Sequence, residues 1–119
     1  MKSTRERQRA ERAGRHAEWI AALFLIAKGY RIGAMRFRAN GGEVDIVARR
    51  GDVAAMVEVK RRSSEEAALM AVTRASQERI ENAGLAWLAT QRDGANLVTR
   101  NDIVAVIPWR LPKHFTDVW

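Results

Sequence analysis

The chain has no cysteine, only two prolines and one tyrosine, and no apolar run longer than the nine residues from Trp19 to Ala27. Without cysteine there is neither a disulfide framework nor a thiolate metal site, and a reducing, cytoplasmic setting is the expectation. A membrane-spanning helix needs about 20 consecutive apolar residues, so no membrane partner is expected. The N-terminus is charged throughout and lacks the apolar core of a signal peptide. There is no internal repeat and no long linker. What remains is a chain of 119 residues, 47% of them hydrophobic, enough for one core. The expected organisation is a basic extension over residues 1–12, solvated helix or mobile arm, followed by a single domain over 13–119.

The net charge is +7 and unevenly placed. Residues 1–62 carry 15 Lys and Arg against 7 Asp and Glu, whereas residues 63–119 carry 6 against 7. Basic surface concentrated in one half suits a polyanionic partner, and nucleic acid is favoured over a merely soluble surface.

The basic half also holds the most informative stretch, Gly41 to Arg62. It reads as two strands around Gly51-Asp52, a dipeptide that suits a two-residue hairpin loop. If those residues form the loop, paired residue numbers sum to 103. Asp45 then faces Glu58, and Glu43 faces Lys60. On the opposite face Val44 meets Val59, Ile46 meets Val57 and Ala48 meets Ala55, a wholly apolar surface. Directly opposed side chains have Cβ atoms about 4.5–5.5 Å apart, and like charges at that distance are destabilising. A proton, a cationic side chain or a metal ion would each relieve Asp45 against Glu58. Two carboxylates with a backbone carbonyl make a hard oxygen site suited to Mg²⁺. A purely structural cluster, with Glu43 on Lys60 and an arginine across the two acids, is the alternative.

Around this hairpin the periodicity predicts a helix from Ala13 to a Gly29 cap, with Trp19, Ile20, Leu23, Phe24 and Ala27 on its apolar face and most of its second half buried. Tyr30 to Arg38 reads as a strand with Tyr30, Ile32 and Ala34 on one face. Arg31, Arg36 and Arg38 are candidates for phosphate contact or solubility. Asn40-Gly41-Gly42 is a turn. Ser63 and Ser64 open a short helix to about Met70, and a longer one runs from Thr73 to Thr90 with Ile80, Ala83, Trp87 and Leu88 inward. Asn96 to Ile107 reads as one or two strands, nearly all apolar at the end and so central in a sheet. Asp102 is expected to be structural. Trp109 and Trp119 are expected to cover the core, with self-association as the second option. The fold class is α/β or α+β, with a mixed central sheet.

Gly41-Gly42-Glu43-Val44-Asp45 followed by Glu58-Val59-Lys60 resembles the bipartite core of restriction-endonuclease-like nucleases. With Gly14-Arg15-His16-Ala17-Glu18, Lys28-Gly29-Tyr30, the Arg50-Gly51-Asp52 turn, the run from Val57 to Ser64, and Asp102 to Val106, the chain resembles the YraN-like family of predicted endonucleases, related to Holliday-junction resolvases. The resemblance implies that Asp45 and Glu58 hold Mg²⁺ or Mn²⁺ with the Val59 carbonyl. It implies that Lys60 orients the attacking water, and that Glu18 approaches the ion directly or through water. Two positions depart from the pattern: Ser76 stands where a lysine is usual, with Gln77 as a polar replacement, and Asn101 stands where phenylalanine is usual. Arg15, Arg61, Arg62 and Gln77 are the candidate nucleic-acid contacts. The implied function is a metal-dependent endonuclease acting on DNA, on branched or recombination intermediates, as a homodimer. The alternative is a nucleic-acid-binding module whose metal site is idle.

Overall fold

A computed structural model describes residues 3–119; Met1 and Lys2, the first two residues of the expected extension, lie outside the described residues. The first element is one continuous helix, α1 (Thr4–Ala27). It starts on a reciprocal cap, in which the Ser3 hydroxyl accepts from the Glu6 N–H and the Ser3 N–H donates to the Glu6 carboxylate. It ends where Gly29 turns left-handed at φ +94°, with the Gly29 and Tyr30 N–H groups closing on Ile26 and Leu25 carbonyls. The charged stretch 4–12 is therefore the first part of this helix.

The chain then forms a meander of β1 (Arg31–Ala39), β2 (Gly42–Arg50) and β3 (Val53–Arg61). The turns fall where glycine permits positive φ, with Asn40 and Gly41 at +52° and +74° and Gly51 at +62°. Helices α2 (Glu65–Met70) and α3 (Arg74–Ala89) follow, capped by the Ser64 and Thr73 hydroxyls. They form the crossover that a parallel strand requires. Strand β4 (Val98–Val106) then lies parallel to β3, and a short β5 (Lys113–Phe115) closes the edge antiparallel to β4. The result is a mixed five-stranded sheet in sequence order, with α1 on one face and α3 on the other.

The face that α1 buries is not the expected one. Ala17, Glu18, Ala21, Ala22 and Leu25 are buried, while Trp19, Leu23 and Ile26 are more than half exposed. Small side chains let the helix axis approach the sheet closely, and that contact outweighs burial of the larger residues on the other side. The face of α3 is as expected, with Ile80, Ala83 and Trp87 buried. Gly84 is there for contact, since a Cβ on it would come within 3.0 Å of the Met56 side chain. At the start of β2 the fit is tighter still: a Cβ on Gly42 would stand 2.0 Å from the Arg79 carbonyl oxygen, so strand and helix meet backbone to backbone.

Other expectations are corrected at irregularities in the sheet. A shift between Ile32 and Ala34 puts Ile32 with the α1 core and Ala34 with the α3 core. At that shift Gly33 leaves room for the Trp87 indole, which a Cβ would meet at 2.8 Å. In the tail, half-buried Trp119 packs on the α3 core, whereas Trp109 is fully exposed and covers nothing. Asn101 bonds the chain end: its Nδ2 donates to the Trp119 carbonyl at 3.2 Å, and its carbonyl accepts from the Val118 N–H at 2.8 Å.

Candidate active site

The hairpin keeps the sum-to-103 register from Arg50–Val53 to Ile46–Val57, and there the ladder stops. Beyond it the strands part, so the expected direct pairings of Asp45 with Glu58, Glu43 with Lys60 and Val44 with Val59 do not form as ladder rungs. Val44 turns to the α3 core while Val59 stays with the α1 core, so the apolar face is continuous only for Ile46–Val57 and Ala48–Ala55. The break coincides with Arg36 on β1, whose φ of +51° is left-handed for a residue with a side chain. On either side of it Met35 pairs with Ile46 and Phe37 with Val44 in one register, and Arg36 and Asp45 between them form no paired rung.

This opening creates the site. The Val59 N–H, freed from the ladder, donates to Asp45 Oδ2 at 2.8 Å. Asp45, Glu58 and Lys60 line a groove of about 480 Å³ together with Gly14, Arg15 and Glu18 of α1. The same three residues line an adjoining pocket of about 190 Å³ against Ser76, Arg79 and Ile80 of α3. The depression thus runs from one helix to the other across the open end of the β2–β3 hairpin.

The electrostatics are those of a site short of positive charge. Burial and the neighbouring Glu58 carboxyl push the Asp45 pKa up to about 8, against the opposing pull of the Val59 N–H and Lys60. Glu18 is buried, and burial raises its pKa too, opposed by Arg36, whose Nε donates to both carboxylate oxygens at 2.5 and 3.1 Å. Glu43 pairs with Arg38 at 3.4 Å. The Lys60 ammonium has no carboxylate within ion-pair distance among the described residues.

Of the residues picked out in the sequence, Glu18, Asp45, Glu58, Val59, Lys60 and Arg15 come together along the groove. Glu18 points its carboxylate at Arg36, and among the described residues no three acidic or histidine side chains form a ready-made ion cage. Arg61 and Arg62 are exposed at the end of β3 and lie outside the groove lining. Gln77 lies outside both linings, whereas Ser76 is in the smaller pocket, its hydroxyl 3.0 Å from that of Thr73. Arg79 is the residue that sequence reasoning missed. It lies one helical turn beyond Ser76, on the same side of α3, and that spacing was the available signal.

The model of the Uncharacterised protein family UPF0102 matches residues 17–106. A UPF0102 protein of Rhizobium johnstonii is 54% identical over 113 residues, covering 95% of this chain and 93% of the relative. One from Rhizobium etli is 55% identical over the same shares. One from Agrobacterium fabrum is 49% identical over 96% of this chain and 93% of its own length.

Proposed function

This chain belongs to the UPF0102 family, the YraN family whose motifs it carries, and from that premise we propose that it is a metal-dependent endonuclease hydrolysing DNA phosphodiesters. The observation that carries the reading is the Asp45–Glu58 pair, two partly buried carboxyls held together beside an unpaired Lys60. A protein has no structural need to press two acids together, and a cation relieves them. The donor set fits a small, hard divalent ion such as Mg²⁺ or Mn²⁺: Asp45, Glu58 and the Val59 carbonyl would hold it. When bound, such an ion polarises a phosphoryl oxygen and lowers the pKa of a bound water.

The chain's own residues do the rest. The Val59 N–H fixes Asp45 through its Oδ2, beside the Glu58 carboxyl. Lys60, free of any ion pair, donates to the attacking water or to the phosphoryl oxygens as negative charge develops. Arg15, Arg38 and Arg79 line the approaches from both helices and β1, where they hold flanking phosphates. Glu18 is a reserve acid, available to the site when a phosphate draws Arg36 away.

Cleavage assays on duplex, single-stranded and branched DNA with Mg²⁺ or Mn²⁺ test this. Wild type is expected to cut at least one substrate and Asp45→Asn none; equal trace activity in both sinks the reading. The Glu18–Arg36 pair favours a second reading, binding without hydrolysis, because it takes the third acid out of the site. That reading expects salt-dependent DNA binding that survives Glu58→Ala, with no cutting by wild type. A homodimer is part of the proposal, and the uncovered stripe Trp19, Leu23 and Ile26 on α1 supports it. Sedimentation as a monomer at micromolar concentration removes that part.

A further inference from the structure

Trp109 is the large aromatic side chain that the fold leaves entirely in water, and it lies beyond the segment that the family model matches. Its backbone is left-handed at φ +66°, a conformation that a residue with a bulky side chain rarely adopts. The turn is closed by the Arg110 N–H on the Ile107 carbonyl at 3.2 Å.

The surroundings of this indole are basic and tied to the site. In the parallel β3–β4 register Lys60 lies beside Ala105 and Arg61 beside Val106. The Arg62 N–H donates to the Val106 carbonyl at 3.2 Å, so Arg61 and Arg62 are held against the segment that leads into Trp109. From Ala105 to Thr116 the chain carries Arg110 and Lys113 and no acid. Arg61, Arg62, Arg110 and Lys113 are all exposed. Trp109 follows Ala105 by four residues, a reach of at most about 14 Å, or about four nucleotides at roughly 3.4 Å each.

We propose that Trp109 is a stacking platform for an unpaired base, placed a few nucleotides from the scissile phosphate, with Arg61, Arg62 and Arg110 on the flanking phosphates. The substrate class is DNA with a single-stranded stretch beside the cleavage position. The inference rests on the nuclease reading and adds the state of the strand that the site accepts. A flat π-surface among guanidinium groups is the composition that single strands select: every base offers a face to stack on, while the cations follow the backbone. In a blunt duplex the bases are already stacked and leave the indole without a partner.

The test is binding by fluorescence anisotropy at low salt in EDTA, where no cutting occurs. Three labelled DNAs are compared: a 12-nucleotide single strand, a blunt duplex, and that duplex with a four-nucleotide tail. Trp109→Ala is expected to weaken the single strand and the tailed duplex about 5–100-fold and the blunt duplex less than about twofold. Trp109→Phe restores most of the loss. The double substitution of Arg61 and Arg62 to alanine weakens all three DNAs and flattens the salt dependence. Because Trp109 packs on nothing, the variants should keep the wild-type melting temperature. Wild-type binding that Trp109→Ala leaves unchanged, or weakens equally for all three DNAs, overturns the stacking role and leaves the nuclease reading standing. Wild type that binds neither the single strand nor the tailed duplex overturns the stacking role, while the nuclease reading is decided separately by the cleavage assay with metal. Loss of self-association in Trp109→Ala with DNA binding intact assigns the indole to a protein interface and overturns the proposal.

Discussion

Asp45 and Asp102 sit on the same sheet, two strands apart, and differ in almost everything but chemistry. Asp102 is completely buried, and burial alone would raise its pKa. His114 at 2.8 Å, the paired guanidinium nitrogens of Arg100 at 2.8 and 2.9 Å, and the Asp117 N–H at 3.0 Å outweigh that and hold it below the usual carboxylate range. The Arg100 guanidinium also donates to the Tyr30 hydroxyl at 2.7 Å, and the Lys28 ammonium lies 2.6 Å from the His114 ring. Every lone pair is occupied, and the cluster ties the turn that follows α1 to β4 and β5. Asp45 has one N–H donor, a second carboxyl as neighbour, and a pKa pushed the other way, to about 8. A buried acid with all its partners is part of the frame. A half-buried acid facing another acid lacks that full set of partners, the feature on which the proposed metal site rests.

The widest separation between the two comes from removing each charge. Asp45→Asn is expected to lower metal-dependent DNA cleavage by about 10²–10³-fold, the scale seen when a group that stabilises transition-state charge is lost, with the fold intact by circular dichroism. Asp102→Asn should do the reverse. It breaks a buried ionic network at a cost of about 3–5 kcal/mol, read as a lower urea midpoint, while cleavage per folded molecule stays within about twofold. An Asp102 variant as stable as wild type would erase the distinction.

Proton linkage gives the next effect. In the metal-free protein Asp45 holds its proton to about pH 8, whereas in the unfolded chain an aspartate loses it near pH 4. Between those values the folded state binds more protons, so its contribution to stability falls as pH rises and levels off above about 8. Asp102 has the opposite sign: its depressed pKa contributes stability that is fully present above about pH 4 and is lost on acidification through the folded value. Asp45→Asn should therefore flatten the fall in melting temperature between pH 5 and 8. By the same linkage, Mg²⁺ binding should strengthen over that range and release protons, detectable by titration calorimetry in buffers of different ionisation enthalpy. Metal affinity independent of pH would contradict the raised value.

The smallest effect is expected at Ser76, whose pocket opens on Asp45, Glu58 and Lys60. Ser76→Lys adds one phosphate contact beside the acids. It should steepen the salt dependence of DNA binding by about one unit of slope and raise affinity a few-fold at low salt. An unchanged slope would mean that the α3 wall does not touch the DNA backbone.

The parts of this geometry legible in the sequence were those set locally. Gly51-Asp52 fixed the hairpin register, large residues at helical spacing fixed the buried face of α3, and serine and threonine caps placed both helix starts. What escaped depends on contacts between elements. The α1 stripe is mostly alanine, which carries little hydropathic signal, so Trp19 and Leu23 dominated the pattern although they face outward. That misphasing also obscured why Glu18 is buried, because it lies on the alanine stripe. The ladder between β2 and β3 stops beside Arg36 of a third strand, whose left-handed backbone no two-strand argument includes. Strand β5, at three residues, is too short for alternation to register. In the candidate site, the spacing of Asp45, Glu58 and Lys60 gave the group that shares the groove, whereas Arg36 on Glu18 and Arg79 from α3 required the assembled molecule.

The contact of Gly42 with the Arg79 carbonyl bears on how the site can accommodate a ligand. On that side, helix and strand rest main chain on main chain, with no side chain between them to flex, lengthen or be exchanged for a smaller one. The spacing of that wall is thus built to a fixed gauge. The opposite wall is built differently: there α1 runs on past Glu18 into solvent, and the groove is lined by the side chains of Glu11, Arg15 and Glu18 rather than by a main-chain contact.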